Sequence, residues 1–150
     1  MIKKFQPITW NDDMSVGIES IDNDHKKLLS LVNEMDYILE AGMPVKDSAI
    51  ASVLSELMDY TRYHFRREEI VMEVCNYPRI QDHKQAHKIL VGQVQSFVDG
   101  VNHKHPGFDP KILRFFMEDW LVEHIMKMDK DFAIYTVGKM EIIEKHLADI

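Results

Sequence analysis

The nine residues YHFRREEIV, at positions 63–71, place a histidine and a carboxylate on a helix face that is otherwise apolar. His64 and Glu68 are four residues apart, so they lie on the same side of an α-helix. That side continues in both directions with apolar residues, namely Ile50, Val53, Leu57, Met72 and Cys75. The pattern predicts that both polar side chains point into the core. A physical reason is needed, because burying an ionised group without a partner costs free energy.

Composition limits the class of protein. The chain has 150 residues, enough for one domain with a sizeable core. Hydrophobic residues make up 45% and charged residues 29%, as in ordinary globular proteins. The net charge of −7 argues against sequence-independent binding to nucleic acid or to anionic membranes, which needs clustered lysine and arginine. No apolar run is long enough to span a bilayer.

The sequence carries no recognisable targeting signal. The N-terminal stretch MIKKFQPITW has two lysines but no apolar run after them, so we do not expect a secretory signal. The single cysteine, Cys75, cannot form an internal disulfide and falls at a predicted core position, where a small buried hydrophobe is favoured over a redox switch. We therefore expect a cytoplasmic protein.

Helical periodicity accounts for most of the chain. Four long helices are predicted, at about 20–41, 48–75, 79–101 and 109–127. Their boundaries are indicated by Gly42 and Pro44 after the first helix, by NYP at 76–78 after the second, and by Asp109 before Pro110 at the start of the fourth. No stretch shows the period-two alternation of a strand. We predict an all-α fold, an up-down-up-down antiparallel four-helix bundle.

The two ends of the chain are predicted to lie on this bundle. Residues 1–19 read as an N-terminal arm, and about 130–147 read as a short C-terminal helix with Ile134, Val137 and Ile142 at its apolar positions. No internal repeat or linker separates the segments. Residues 1–150 are therefore interpreted as one domain.

Each of the four long helices has at least one histidine on its apolar face, and two of them add a carboxylate. The set is His25, His64, Glu68, His83, His87, His124 and Asp129. Taken singly, each has an ordinary interpretation as a core histidine, an exposed ion pair or a chance surface pair. His124 and Asp129 are five residues apart, about 140° around an α-helix, so they share a face only if the helix widens into a π-type turn.

Taken together, the seven residues predict a metal site. Two unpaired carboxylates in an apolar core would cost several kcal/mol each, against a total stability of about 5–15 kcal/mol. A cation is therefore expected among them, and nitrogen with carboxylate ligands suits a transition metal of intermediate softness. The donors are too many for one octahedral ion. If both carboxylates bridge two ions and a hydroxide bridges them too, one coordination position stays open for a small ligand.

These motifs resemble those of the hemerythrin family, in particular its bacterial members. The resemblance is carried by His25, by HFRREE (64–69), HKQAH (83–87) and HIMKMD (124–129), and by ITW near the start, in order over nearly the whole chain. It implies a non-haem diiron centre, two iron ions with an oxo or hydroxo bridge. The ligand roles it implies are His83, His87 and His124 on the six-coordinate iron, His25 and His64 on the iron with the open position, and Glu68 and Asp129 as bridging carboxylates.

The resemblance also implies an apolar oxygen pocket, formed by Leu28, Phe65, Leu121 and Ile125. Trp120 matches a pocket position as well, although a core aromatic is an equally good interpretation. The remaining histidines, His103, His105 and His146, match no ligand and are expected to be solvated.

The function that the resemblance implies is reversible dioxygen binding for storage, transport or delivery to an oxygen-consuming enzyme, without catalysis. Ligation rich in nitrogen favours carriage over oxygenation, because diiron oxygenases built on helix bundles use mostly glutamate with paired Glu-x-x-His motifs. Here Glu123 and His124 are adjacent, and no such motif occurs. Two alternatives remain: a diiron redox enzyme that reduces peroxide or nitric oxide, and an iron or oxygen sensor with a separate output partner. A monomer is favoured.

Overall fold

The computed structural model describes residues 7–41, 46–102 and 110–150. Its helices are α1 (Glu19–Ala41), α2 (Lys46–Val74), α3 (Ile80–Asn102), α4 (Pro110–Glu123), a π-helix (His124–Asp129), α5 (Lys130–Ala133) and α6 (Met140–Leu147), with 3-10 turns at Asp12–Met14 and Ile134–Thr136. No strand occurs in these three ranges. The predicted all-α fold is confirmed. Gly42, Pro44 and Asp109, which were predicted to mark helix boundaries, lie outside the described residues.

The long helices form an antiparallel bundle. Helix α1 packs against α2 and α4, and α2 packs against α3. The faces in contact are those that carry the apolar residues at spacings of three and four, as in Ile50, Leu54 and Leu57 of α2, each at most 1% exposed. The predicted four-helix bundle is therefore confirmed. In the described ranges, no helix is long and apolar enough to cross a membrane.

The buried apolar side chains form two clusters. The larger one fills the bundle, and the smaller one lies where the C-terminal segment covers the bundle end. Residues of the two clusters flank the polar positions along the chain: Ile21 and Leu28 around His25, Phe65 and Met72 around Glu68, and Ile125 and Phe132 around Asp129. The polar groups therefore lie at the junction between two apolar regions, with water excluded on both sides.

The C-terminal segment is not the single helix that was predicted over about 130–147. Helix α5 ends at Ala133, and a turn separates it from α6. The turn contains Gly138 at a φ of 78°, in the left-handed region that glycine adopts without the strain a side chain would add.

This break changes which residues of the segment are buried. Ile134, Val137 and Ile142, the apolar residues noted for this segment, are 71%, 81% and 47% exposed. Ile143 and Leu147 are buried instead. The periodicity of one continuous helix cannot describe two short helices whose rotations differ.

The described part of the N-terminal segment lies against α1. The backbone N–H of Ile8 donates to Oδ1 of Asn33 at 2.8 Å, and the Asn33 amide donates back to the Ile8 carbonyl at 2.9 Å. The Lys26 ammonium lies 5.1 Å from the centre of the Trp10 ring, a cation–π contact. These contacts hold the segment along the first helix.

Candidate metal centre

Seven ionisable side chains from all four long helical segments converge inside the bundle. They are His25 from α1, His64 and Glu68 from α2, His83 and His87 from α3, and His124 and Asp129 from the π-helix. None is more than 5% exposed, and both carboxylates are fully buried. These are the residues that the sequence singled out as ligands.

The π-helix brings His124 and Asp129 together. In an α-helix, five residues would place the two side chains about 140° apart. The wider turn over His124–Asp129 places Nε2 of His124 3.1 Å from Oδ1 of Asp129. The π-type turn predicted from this spacing is therefore present. Turns of this kind often occur at functional sites.

The two oxygens of Glu68 face different groups of histidines. Oε1 lies 2.6 Å from Nε2 of His64 and 3.0 Å from Nε2 of His25. Oε2 lies 3.1 Å from Nε2 of His87 and 3.6 Å from Nε2 of His83. One carboxylate thus reaches the histidines of α1 and α2 with one oxygen and those of α3 with the other.

Asp129 divides the histidines in the same way. Its Oδ2 lies 2.9 Å from Nε2 of His25. Its Oδ1 lies 3.2 Å from Nε2 of His83 and 3.1 Å from Nε2 of His124. Both carboxylates therefore lie between the same two groups of imidazoles.

The donor atoms fall into two groups, each compact enough to surround one ion. One group contains His83, His87 and His124 with Glu68 and Asp129, the other contains His25 and His64 with the same two carboxylates, and in each the donor atoms lie within 4.8 Å of one another. Two positions that share both carboxylates are the arrangement expected of bridging ligands.

Several of these atoms have no hydrogen-bond partner despite the short distances. They include Nε2 of His83, His87 and His124, Oε2 of Glu68 and both oxygens of Asp129. Buried polar atoms are nearly always satisfied in folded proteins. Imidazole nitrogens and carboxylate oxygens that converge in this way fit a pair of transition-metal ions, which would satisfy them.

The electrostatics of the metal-free cluster show how strongly it requires positive charge. Burial alone lowers the pKa of His25, but the adjacent carboxylates of Asp129 and Glu68 outweigh it and raise the pKa to about 9. Burial also opposes protonation of His124, whose pKa is nevertheless raised to about 10, chiefly by the charge of Asp129. Burial would raise the pKa of Glu68, yet the nearby His64 and the other imidazoles hold that pKa well below its usual value. Protons thus supply the positive charge that metal ions would supply.

The residues predicted to form the oxygen pocket lie in the larger apolar cluster. Leu28, Phe65, Leu121 and Ile125 are all at most 4% exposed. The Phe65 ring stacks on His87, with 3.7 Å between ring centres and 4° between planes. Their role as a pocket stays a prediction.

The histidines that match no ligand do not join the centre where they are described. His146 is exposed, and its Nδ1–H donates to the Ile142 carbonyl at 2.8 Å. His103 and His105 lie outside the described residues.

Sequence reasoning missed three residues behind His64: Asp24, Tyr60 and Arg67. Neither Asp24 nor Arg67 was predicted to belong to the site, yet they are only 4% and 9% exposed. Arg67 could have been found, because it is three residues from His64 on the same side of α2. Asp24 could not, because its contact crosses from one helix to another.

Comparison with known proteins identifies the family to which this fold belongs. Residues 16–133 match the family described as the hemerythrin HHE cation binding domain. The chain belongs to the hemerythrin family.

Similar hemerythrins come from several organisms. Bacteriohemerythrin of Pseudomonas aeruginosa (strain LESB58) is 31% identical over 126 residues, which cover 84% of this chain and 79% of the relative. Bacteriohemerythrin of Clostridium acetobutylicum (strain ATCC 824) is 29% identical over 125 residues, covering 82% and 96%. A crystal structure of wild-type hemerythrin superposes with a TM-score of 0.75 at 28% identity, covering 85% of this chain and 95% of that one. The buried cluster therefore belongs to a hemerythrin cation-binding domain.

Removing either shared carboxylate should cost the centre at least one of its two ions. We expect Glu68→Ala and Asp129→Ala to bind at most one iron ion per chain, because each carboxylate contributes an oxygen to both groups of ligands. The measurement is iron per chain after anaerobic loading and gel filtration. The control is His146→Ala, an exposed histidine whose removal should leave the iron content unchanged. Two ions retained in either carboxylate variant would contradict the assignment of the bridges.

The metal-free protein should lose stability as the pH rises from about 6.5 to 10. His25 and His124 have folded pKa values of about 9 and about 10, against 6.5 when unfolded, so their contribution is complete below about 6.5 and lost through 9 to 10. The lowered pKa values of Glu68 and Asp129 contribute above their ordinary values near 4 and are lost in acid. Urea unfolding at several pH values should show the free energy of unfolding highest between about 4.5 and 6.5. An equal or larger value at pH 10 would show that the imidazoles are not charged in the folded state.

Proposed function

We propose that this protein binds dioxygen reversibly at a non-haem diiron centre. The observation that supports this most directly is the unequal division of ligands between two groups that share both carboxylates. One group offers three imidazoles and two carboxylate oxygens, the other two imidazoles and two carboxylate oxygens. The second position therefore has one protein ligand fewer and leaves room for a small molecule. When bound there, two ferrous ions would supply electrons to dioxygen and recover them on its release.

The residues have distinct roles in this proposal. His83, His87 and His124 would hold the six-coordinate ion, and His25 and His64 would hold the ion with the open position. Glu68 and Asp129 would bridge the two. Five neutral imidazoles leave the carboxylates as the only anionic ligands from the chain, which limits the negative charge that accumulates on the ions.

The apolar surroundings favour reversible binding over chemical conversion. Leu28, Leu121 and Ile125 are at most 1% exposed and carry no proton donor. Such walls exclude water and need no charged group to recognise dioxygen, which is small and apolar. A redox enzyme that reduces peroxide would need protons delivered to the reacting atoms, and these side chains cannot deliver them.

Storage, transport and delivery to an oxygen-consuming enzyme would all use the same centre. In each case the protein must release dioxygen unchanged. Reversibility is thus the property that separates carriage from the two alternatives, a redox enzyme and a sensor.

The first test is a visible absorption spectrum of iron-loaded protein, first reduced without air, then exposed to air, then degassed. We expect a charge-transfer band that appears with air and fades on degassing over repeated cycles. Direct conversion to a stable ferric form, with no reversible band, would overturn carriage and favour the redox enzyme or the sensor. Glu68→Ala provides the matched negative control, since it should show no band.

Opening the apolar wall should hasten irreversible oxidation. We expect Leu121→Ala to raise the autoxidation rate several-fold, because a cavity next to the open position would admit water. The control is Leu54→Ala, an equally buried leucine about 15 Å along α2 from His64, which creates a similar cavity away from the centre. The loss of the reversible band is followed over time in air. An unchanged rate in Leu121→Ala, or an equal increase in both variants, would show that Leu121 does not shield the centre.

A further inference from the structure

Behind His64, on the side away from the proposed ions, lies a buried carboxylate that is not itself a predicted ligand. Asp24 of α1 is 4% exposed, and its Oδ2 accepts a hydrogen bond from Nδ1–H of His64 at 3.0 Å. The same oxygen accepts from Nε–H of Arg67 at 2.8 Å. The other oxygen accepts from the Tyr60 hydroxyl at 2.9 Å. Three donors from α2 thus converge on one carboxylate of α1.

The contact determines the state of the His64 ring. A carboxylate can only accept, so a ring proton lies on Nδ1, and Nε2 is the nitrogen left to bind an ion. That Nε2 is the atom 2.6 Å from Oε1 of Glu68, inside the cluster. Asp24 therefore fixes both the tautomer and the rotation of a histidine that would ligate the ion with the open position.

The carboxylate is itself held in place. Arg67, whose side chain is 10% exposed, offsets the charge of Asp24, and its guanidinium also donates to the Tyr63 hydroxyl at 3.0 Å. Hydrogen bonds on both oxygens prevent the carboxylate from rotating away from His64. His64 thus contacts an anion whose charge is balanced by an adjacent cation.

The other histidine proposed for the same ion is supported differently. Nδ1 of His25 is buried and has no hydrogen-bond partner within the described ranges of the chain. An ion held by these two imidazoles would receive one with a carboxylate behind it and one without. The hydrogen bond to Asp24 therefore makes His64 the stronger electron donor of these two histidines.

We propose that Asp24, held by Arg67 and Tyr60, is a positioning residue that orients His64 and sets the affinity and reduction potential of the iron with the open position. This inference rests on the proposed diiron function. According to this proposal, Asp24, Arg67 and Tyr60, which are not ligands, control how readily that iron is oxidised.

Two substitutions separate orientation from charge. Asp24→Asn keeps an oxygen that can accept from His64 and Arg67 but removes the negative charge. Asp24→Leu removes both. The matched control is Asp22→Asn in the same helix, where the carboxylate accepts from the Val16 backbone N–H at 2.9 Å and from the Ser15 hydroxyl. Circular dichroism of each metal-free variant establishes that it folds, and Asp24→Asn remains informative if Asp24→Leu does not.

The first measurement is made with zinc, which has no redox chemistry. Two-bond proton–nitrogen correlations on zinc-loaded protein should show a proton on Nδ1 of His64, far downfield in the wild type and shifted upfield in Asp24→Leu. A competing chelator should remove one of the two ions about 10–100-fold more readily from Asp24→Leu than from the wild type. Asp22→Asn should behave as the wild type in both measurements.

The second measurement is the midpoint potential of the iron-loaded protein. In Asp24→Asn we expect a more positive potential and slower autoxidation with two ions still bound, because a less basic imidazole stabilises ferric iron less. Potentials and chelator removal equal to the wild type in both Asp24 variants would overturn the proposal, as would the same changes in Asp22→Asn. If the zinc results hold while the air-and-degassing band is absent, the dioxygen proposal alone fails.

Discussion

The two buried carboxylates are the constraint on which the rest of the structure depends. Glu68 and Asp129 are fully buried, and neither can remain ionised there without positive charge nearby. Each of the four long helical segments contributes at least one imidazole to meet that requirement. Without metal, protons on His25 and His124 provide the compensation. Metal binding must displace such protons, so loading, folding and pH are coupled in this molecule.

Much of the site could be predicted from one-dimensional spacing because its ligands repeat with the helix. Glu68 follows His64 by four residues, and His87 follows His83 by four, so each pair shares a face that is apolar elsewhere. Even the irregular pair was informative, since the five residues from His124 to Asp129 require a wider turn to face the same way. These inferences need only the rotation per residue, a property of the backbone.

Contacts between elements were beyond such reasoning. Asp24 reaches His64 because of how α1 is rotated against α2, and that rotation depends on packing along the whole interface. The prediction of one continuous C-terminal helix failed for a related reason. The turn at Gly138 changes the direction of the chain, so the face buried by Ile143 and Leu147 could not be extrapolated from α5. That the seven clustered residues bind iron, and that Leu121 lines an oxygen pocket, stay predictions.

The widened turn at His124–Asp129 holds one more residue than an α-helical turn would need to bring those two side chains together. Deleting a residue between them would give the four-residue spacing of His64 and Glu68. His124 and the aspartate would then still share a face, and the residues that follow would keep their direction relative to the aspartate. Phe132, fully buried in the smaller apolar cluster, is three residues beyond Asp129 and would keep its place in that cluster. The extra residue is thus absorbed within the turn: it widens the helix beside the centre and leaves the rotational phase of the C-terminal core unchanged.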